Sequence, residues 1–222
     1  MKEKISDIII YGAGDLAALI THLVEREGII KVAAYMADDE FVNSGEFNGR
    51  PLLELNAALR KYPPGDYKAL LCVGYKNMRF RKLMFDKLIS MGYEPINFIS
   101  SKAMTDGDFI QGSNNIIFPG AHIEHDVILG DNNIIWSDAL ICHGARIASH
   151  NFLAAGTILG GYSEMGSSCF LGFRATVSHN KKIADETLLA ACSFLNLNTE
   201  ERSKYAGVPA LKIGTHDGIT ID

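Results

Sequence analysis

The chain has 222 residues, of which 47% are hydrophobic, and a formal net charge of −5. That is room for two modest domains or one of ordinary size with a real core, and the absence of any Lys/Arg run makes nucleic acid an unexpected partner, because phosphate neutralisation needs clustered cations. The start, MKEKISDIII, is charged and then only briefly apolar, so neither a secretory leader nor a membrane span is expected, and the singly placed Cys72, Cys142, Cys169 and Cys192 read as reduced packing residues of a cytoplasmic protein.

In chain order, an apolar run at 7–11 leads into Gly12-Ala13-Gly14 and a helical pattern over 16–27. Residues 30–36 read as a second buried strand ending at Asp38-Asp39, and 67–73 as a third running into Gly74-Tyr75. A helix over 77–91 has Met84, Phe85, Leu88 and Ile89 on its apolar side, and 95–99 reads as a last short strand. Strands alternating with helices predict a small Rossmann-like parallel α/β domain over residues 1–104. In such a sheet ligands bind beyond the carboxyl ends of the strands, and the first Gly-rich turn offers backbone N–H groups and a helix N-terminus to phosphate. Gly12 and Gly14 are candidate contacts on that ground, with Asp38 and Asp39 where an acidic residue meets a ribose or base. The plainer readings stay beside these: a tight strand-to-helix turn for the glycines, and a solvated turn for ADDE. A domain of about 100 residues is too short for a six-stranded dinucleotide fold, so NAD is not expected.

From Ile117 to Leu195 every sixth residue is aliphatic: Ile117, Ile123, Leu129, Ile135, Ile141, Ile147, Leu153, Leu159, Met165, Leu171, Val177, Ile183, Leu189 and Leu195. Four places after these positions the residue is usually small, as at Ala139, Ala145, Thr157, Ser163, Cys169, Ala175, Thr187 and Ser193. A period of six fits neither a helix nor a hairpin ladder; it predicts a parallel β-helix of triangular section, three hexads to a coil. Residues 18 apart then stack at the strand spacing of roughly 4.8 Å. This second domain is expected over 105–222, entered through a polar connection at 100–112 and closed by a tail after Asn196 that covers the open edge.

The register sorts the histidines. His125, His143 and His179 share one corner, and Gly161 fills the level between the last two. A corner histidine is commonly a packed surface residue, and that reading is kept for His125 and His179. His143 differs because Gly160-Gly161, one coil above, leaves backbone N–H groups unobstructed where a thioester oxygen could be received, as a general base requires. No further histidine follows His179 closely, so no metal site is expected. Cys142 alternates to the opposite direction and reads as packing, not as a nucleophile.

Over nearly its full length the chain resembles the NeuD/PglD-like sugar O/N-acyltransferases of the left-handed β-helix, hexapeptide-repeat superfamily. The resemblance is carried by IIIYGAG (8–14), YMADD (35–39), CVGYKNMRFRK (72–82), INFISSKAM (96–104), the hexads, CFLGFRATV (169–177) and AGVPALK (206–212). It implies a left-handed parallel β-helix, a homotrimer, and acetyl-CoA as co-substrate in the groove between subunits. It also implies a nucleotide-linked deoxyamino sugar held by the N-terminal domain, with His143 as the base that deprotonates the acceptor. The implied cofactor contacts are Gly160, Gly161, Phe173, Gly207, Pro209 and Lys212. Those to the sugar nucleotide are Gly12, Gly14, Asp38, Asp39, Tyr75, Lys76 and Asn77. The implied activity is N-acetylation by direct transfer in polysaccharide or glycan synthesis, with O-acetylation or a non-catalytic sugar-nucleotide-binding trimer as alternatives. Three positions depart from the family. Gly144 stands where many relatives carry an acid after the catalytic histidine, and Leu16 and Phe152 stand where some carry histidine. Asp126 lies one coil below Gly144 on the register, so Asp126 is expected to supply the carboxylate beside His143.

Overall fold

The computed structural model describes residues 7–28, 30–106 and 109–221. The charged start at 1–6, and residues 107 and 108 of the expected connection, lie outside the described residues. The chain divides into two compact units, Met1–Gly74 with Leu83–Asn97, and Tyr75–Lys82 with Phe98–Asp222.

The first unit is built on β1 (Ile8–Tyr11), β2 (Val32–Ala37), β3 (Glu46–Phe47), β4 (Arg50–Glu54) and β5 (Lys68–Leu71), in the order β3-β4-β2-β1-β5. β1 runs parallel to β2 and β5, β2 runs parallel to β4, and only the short edge strand β3 is antiparallel. Every residue of β1 is buried. An unbroken Ile-Ile-Ile-Tyr run suits a central strand covered on both faces, where alternation has no purpose. Helix α1 (Asp15–Glu27) follows the Gly-rich turn and stops at Gly28, whose left-handed φ of 66° ends the helix. Helix α2 (Leu55–Lys61) follows β4, and α3 (Met78–Ser90) follows β5. The sequence pattern passes over β3, β4 and α2, because Pro51 interrupts the one apolar run there and α2 has only seven residues.

In the second unit each side of the coil is a strand of two residues, and the strands stack into three parallel sheets. The register is 18 throughout, as along Phe98, Ile116, Ile134, Phe152, Phe170 and Leu188. All fourteen hexad aliphatics point inward and are at most 3% exposed, forming one core. Phe98–Ile99 pairs with Ile116–Ile117 and therefore belongs to the first coil, not to the α/β sheet. The solenoid thus begins before the expected boundary at 105, and Tyr75–Lys82 is also counted with it.

Every sixth residue from Asn114 to Cys192 turns a corner with positive φ; Gly120, Gly144 and Gly156 occupy three of these corners and ordinary residues the rest. A left-handed L-residue costs on the order of 1 kcal/mol, so the stack must offset a repeated local cost. Part of the compensation is a column of asparagines in the small-residue place. The Asn133 N–H donates to Asn115 Oδ1 at 3.0 Å, the Asn151 N–H to Asn133 Oδ1 at 2.9 Å, and the Cys169 N–H to Asn151 Oδ1 at 2.8 Å. After the last coil, a hairpin of Ser203–Gly207 and Ala210–Thr215 pairs with Leu188–Leu189 and covers that sheet's open edge, as the tail was expected to do.

Candidate active site

The strand Leu140–Ile141 delivers Cys142, His143 and Gly144 to one corner, directly above the corner formed by Glu124, His125 and Asp126. Glu124 Oε2 accepts the His143 backbone N–H at 2.7 Å and lies 2.9 Å from His143 Nδ1. With Nδ1 held there, Nε2 is the nitrogen left to face outward, and it points at Gly161. A Cβ at Gly161 would lie 2.9 Å from that nitrogen. The His125 ring stacks beneath His143 with centroids 5.6 Å apart and planes within 11°, and Tyr162 meets His143 edge to face at 5.1 Å. Tyr162 occupies the space over Gly144, where a Cβ would come within 2.6 Å of its ring. The imidazole is 44% exposed, so the corner combines a held ring with open access.

Hydrogen bonds from the His143 backbone and side chain hold the Glu124 carboxyl below the usual carboxylate value, with the nearby His143 and His122 adding in the same sense. Glu124 therefore keeps its negative charge at neutral pH. Burial, and then the Glu124 charge, push the neighbouring Cys142 thiol up, only partly offset by the Gly161 N–H directed at its sulfur. A thiol so protonated is a poor nucleophile, in agreement with its reading as packing.

The expected carboxylate was Asp126, and the structure corrects this. Asp126 is exposed at a left-handed corner with φ 58°, and the carboxylate on the imidazole belongs to Glu124. A register of 18 pairs like positions, Asp126 under Gly144 and Glu124 under Cys142; it does not show that a longer side chain at a strand end reaches diagonally to the next residue one coil up. The reading of Gly160 also changes. Its N–H is spent on Val177 O at 3.0 Å, and a Cβ there would lie 2.5 Å from His179 N, so this glycine serves close packing. Tyr162 was not picked out from the sequence, although its place directly above Gly144 on the register is the signal that finds it.

The remaining implied cofactor residues lie elsewhere on the second unit. Phe173 is 63% exposed on the corner that follows Phe170–Leu171, a different corner from that of His143. The Gly207 N–H donates to Ser193 Oγ at 3.1 Å, Pro209 sits in the hairpin turn, and Lys212 Nζ pairs with Glu200 at 2.6 Å. Tyr75, Lys76 and Asn77 also belong to this unit and have structural partners there. Tyr75 packs on Phe152 at 4.5 Å, the Lys76 carbonyl accepts the Ile221 N–H, and Asn77 Oδ1 accepts the Phe80 N–H at 2.9 Å as the cap of α3.

In the first unit, Gly12 closes the carboxyl end of β1 with φ 128°, and a Cβ there would lie 2.7 Å from Cys72 O. That supports the plainer reading, a close backbone approach. Gly14 has open space on its Cβ side and caps α1, but Asp15 already places a carboxylate in the first turn, opposing an anion. Asp38 accepts the Tyr11 hydroxyl at 2.7 Å and pairs with Lys87, so it is engaged within the fold. Burial, with the Asp38 hydrogen bond and charge, drives the Tyr11 hydroxyl far above the usual tyrosine range. Beyond β2 and β4 lies a cavity of about 470 Å³ lined by Asp38, Asp39, Glu40, Leu55, Asn56, Leu59, Lys87 and Met91. Among the described residues no helix is long and apolar enough to cross a membrane, and no group of three or more His, Cys, Asp or Glu is arranged to hold a metal ion.

A family model described as bacterial transferase hexapeptide (six repeats) matches residues 112–142. Among solved structures, a histidine-to-asparagine mutant of perosamine N-acetyltransferase from Caulobacter crescentus, in complex with CoA and GDP-perosamine, matches with a TM-score of 0.84 at 23% identity, over 94% of this chain and 97% of that one. The acetyltransferase domain of PglB from Neisseria gonorrhoeae FA1090, in complex with acetyl coenzyme A, matches with a TM-score of 0.82 at 19% identity, over 93% and 98%. WeeI from Acinetobacter baumannii AYE matches with a TM-score of 0.81 at 15% identity, over 94% and 100%. The likeness is one of fold: a small parallel α/β unit followed by a left-handed parallel β-helix.

Proposed function

We propose that this chain belongs to the NeuD/PglD-like sugar acyltransferases and is an acetyl-CoA-dependent N-acetyltransferase acting on an amino group of a nucleotide-linked deoxyamino sugar. One observation carries the reading. At a solenoid corner, the part-exposed His143 imidazole is held through Nδ1 while Nε2 lies against Gly161, which has no side chain to displace it. In the transfer, the sugar amine attacks the thioester carbonyl, the C–N bond forms and the C–S bond breaks. His143 Nε2 takes the amine proton and returns one to the departing CoA sulfur, giving amide and free thiol. No acyl-enzyme is required, and the raised Cys142 thiol offers no competing nucleophile.

Two kinds of support come from outside the corner. Fold neighbours across nearly the whole chain include proteins bound to CoA with GDP-perosamine and to acetyl coenzyme A. The cavity beyond β2 and β4, lined by Asp38, Asp39, Asn56 and Lys87 together with Leu55, Leu59 and Met91, supports assigning the nucleotide end of the sugar acceptor to this region, beyond the strand ends where α/β sheets bind their ligands. The CoA is assigned to Gly161, Phe173 and the hairpin with Gly207, Pro209 and Lys212. A homotrimer is part of this reading. The side between the Phe173 and His143 corners exposes Met104, Ile158 and Phe194 with His122 and Thr176 between them, and the next side carries the exposed Ile110 below Arg146 and the Glu164–Lys182 ion pair. Large apolar side chains left exposed on adjoining faces are what a subunit contact leaves on a single chain. A purely monomeric species in sedimentation equilibrium would contradict the trimer.

Thermal denaturation with added ligands tests the functional assignment. Acetyl-CoA and nucleotide amino sugars should each raise the melting temperature, by an increment that grows with ligand concentration. A rise with the sugar nucleotide alone, and none with acetyl-CoA at millimolar concentration, contradicts transfer chemistry and favours the binding module.

A further inference from the structure

Resting on the acyltransfer reading, we infer that Glu124 is the positioning residue for His143: its carboxylate, reaching from the coil below, fixes the base as the Nδ1–H tautomer with Nε2 free to take the acceptor's proton. The geometry makes this more than an ordinary ion pair. A single oxygen, Oε2, accepts both the backbone N–H at 2.7 Å and the ring Nδ1–H at 2.9 Å. The first bond locks the carboxylate to the chain that carries the imidazole. The second then fixes the ring relative to that chain, so the position of Nε2 follows from two bonds to one atom. An ionised carboxylate only accepts hydrogen bonds, and it therefore selects the tautomer that donates from Nδ1.

The neighbouring positions explain why the carboxylate comes from below. An acid at 144 would need a Cβ where the Tyr162 ring lies, at 2.6 Å, and at a φ of 65°. The corner has instead a glycine, with an aromatic wall above it and the carboxylate underneath. His125 stacks on the lower face of the His143 ring at 5.6 Å and further restricts its tilt. Glu124 touches no reacting atom in this arrangement and acts wholly through His143.

The test combines a readout that needs no substrate with one that does. In histidine-selective ¹⁵N NMR of the full-length protein near neutral pH, His143 should show a protonated Nδ1 and an unprotonated Nε2, and Glu124→Ala should collapse this to a mixture of tautomers. With acetyl-CoA and an accepted amino sugar, Glu124→Ala should lower kcat by about 10- to 100-fold with KM within about two-fold, because tautomer and orientation are lost but the binding surfaces are not. Glu124→Gln keeps an acceptor oxygen and should recover part of that loss. A wild-type His143 protonated on Nε2, or a Glu124→Ala protein with unchanged tautomer and unchanged kcat, overturns the inference. Failure of the wild type to acetylate any amino sugar overturns the functional reading instead, and the tautomer spectra still decide the role of Glu124.

Discussion

His143 and Gly161 form a contact that exists because Gly161 has no side chain. Gly161 has ordinary backbone angles, so no conformational demand requires glycine there; the demand comes from the Nε2 that a Cβ would meet at 2.9 Å. Gly161→Ala should therefore fold normally, with a melting temperature within about 3 °C of wild type. It should lose on the order of 10²-fold in turnover, because the base is pushed from its place. Circular dichroism melting together with steady-state kinetics checks both halves, and normal turnover in a folded variant would show that Nε2 does not work from this position. The place of His143 between His125 and Gly161 was legible in the sequence because stacking by 18 is a property of the backbone alone. Glu124 was not, because its contact is diagonal and depends on side-chain length. The same limit placed the carboxylate on Asp126, which shares the vertical column of Gly144 but turns outward at a left-handed corner.

The solenoid was legible at the level of elements because burial imposes the six-residue period directly: one inward aliphatic per side, fourteen times, with no exception. Its corners were less legible. Asn, Asp and Gly, which tolerate positive φ, hold eight of the fourteen left-handed positions, but His, Tyr, Ser, Arg, Glu and Cys hold the other six, so residue type does not announce every corner. The asparagine column shows how the stack sustains them. Asn133 accepts the Asn151 N–H through Oδ1 and donates through Nδ2 to Asn115 Oδ1, all of it buried. Asn133→Ala should cost about 1–3 kcal/mol, the desolvation cost of leaving buried polar groups unpaired, even though alanine fits the small-residue place. Urea unfolding followed by circular dichroism measures this, and a cost below about 0.5 kcal/mol would mean that the column is not a source of stability. In the first unit, β1, β2 and β5 were read from their apolar runs. The last strand expected over 95–99 divides between two sheets: Pro95 pairs in parallel with Ala69 of β5, whereas Phe98–Ile99 joins Ile116–Ile117, and a short apolar run does not reveal that change of partner.

Across the whole molecule, the division expected at residue 104 follows composition, whereas the structural division follows pairing: Tyr75–Lys82 and everything from Phe98 count with the solenoid. One consequence concerns Tyr75, Lys76 and Asn77. Their motif resembles a ligand-binding turn, yet in their own unit they pack an aromatic stack, tie down residue 221 and cap a helix. The most direct test of the account follows acetyl transfer by mass spectrometry, with acetyl-CoA and a panel of UDP-, dTDP- and GDP-linked amino sugars. The wild-type protein should add one acetyl group to an amine of at least one of them, and His143→Ala should do so about 10²- to 10⁴-fold more slowly, the usual contribution of a general base. A His143→Ala protein that transfers acetyl at the wild-type rate would contradict the account.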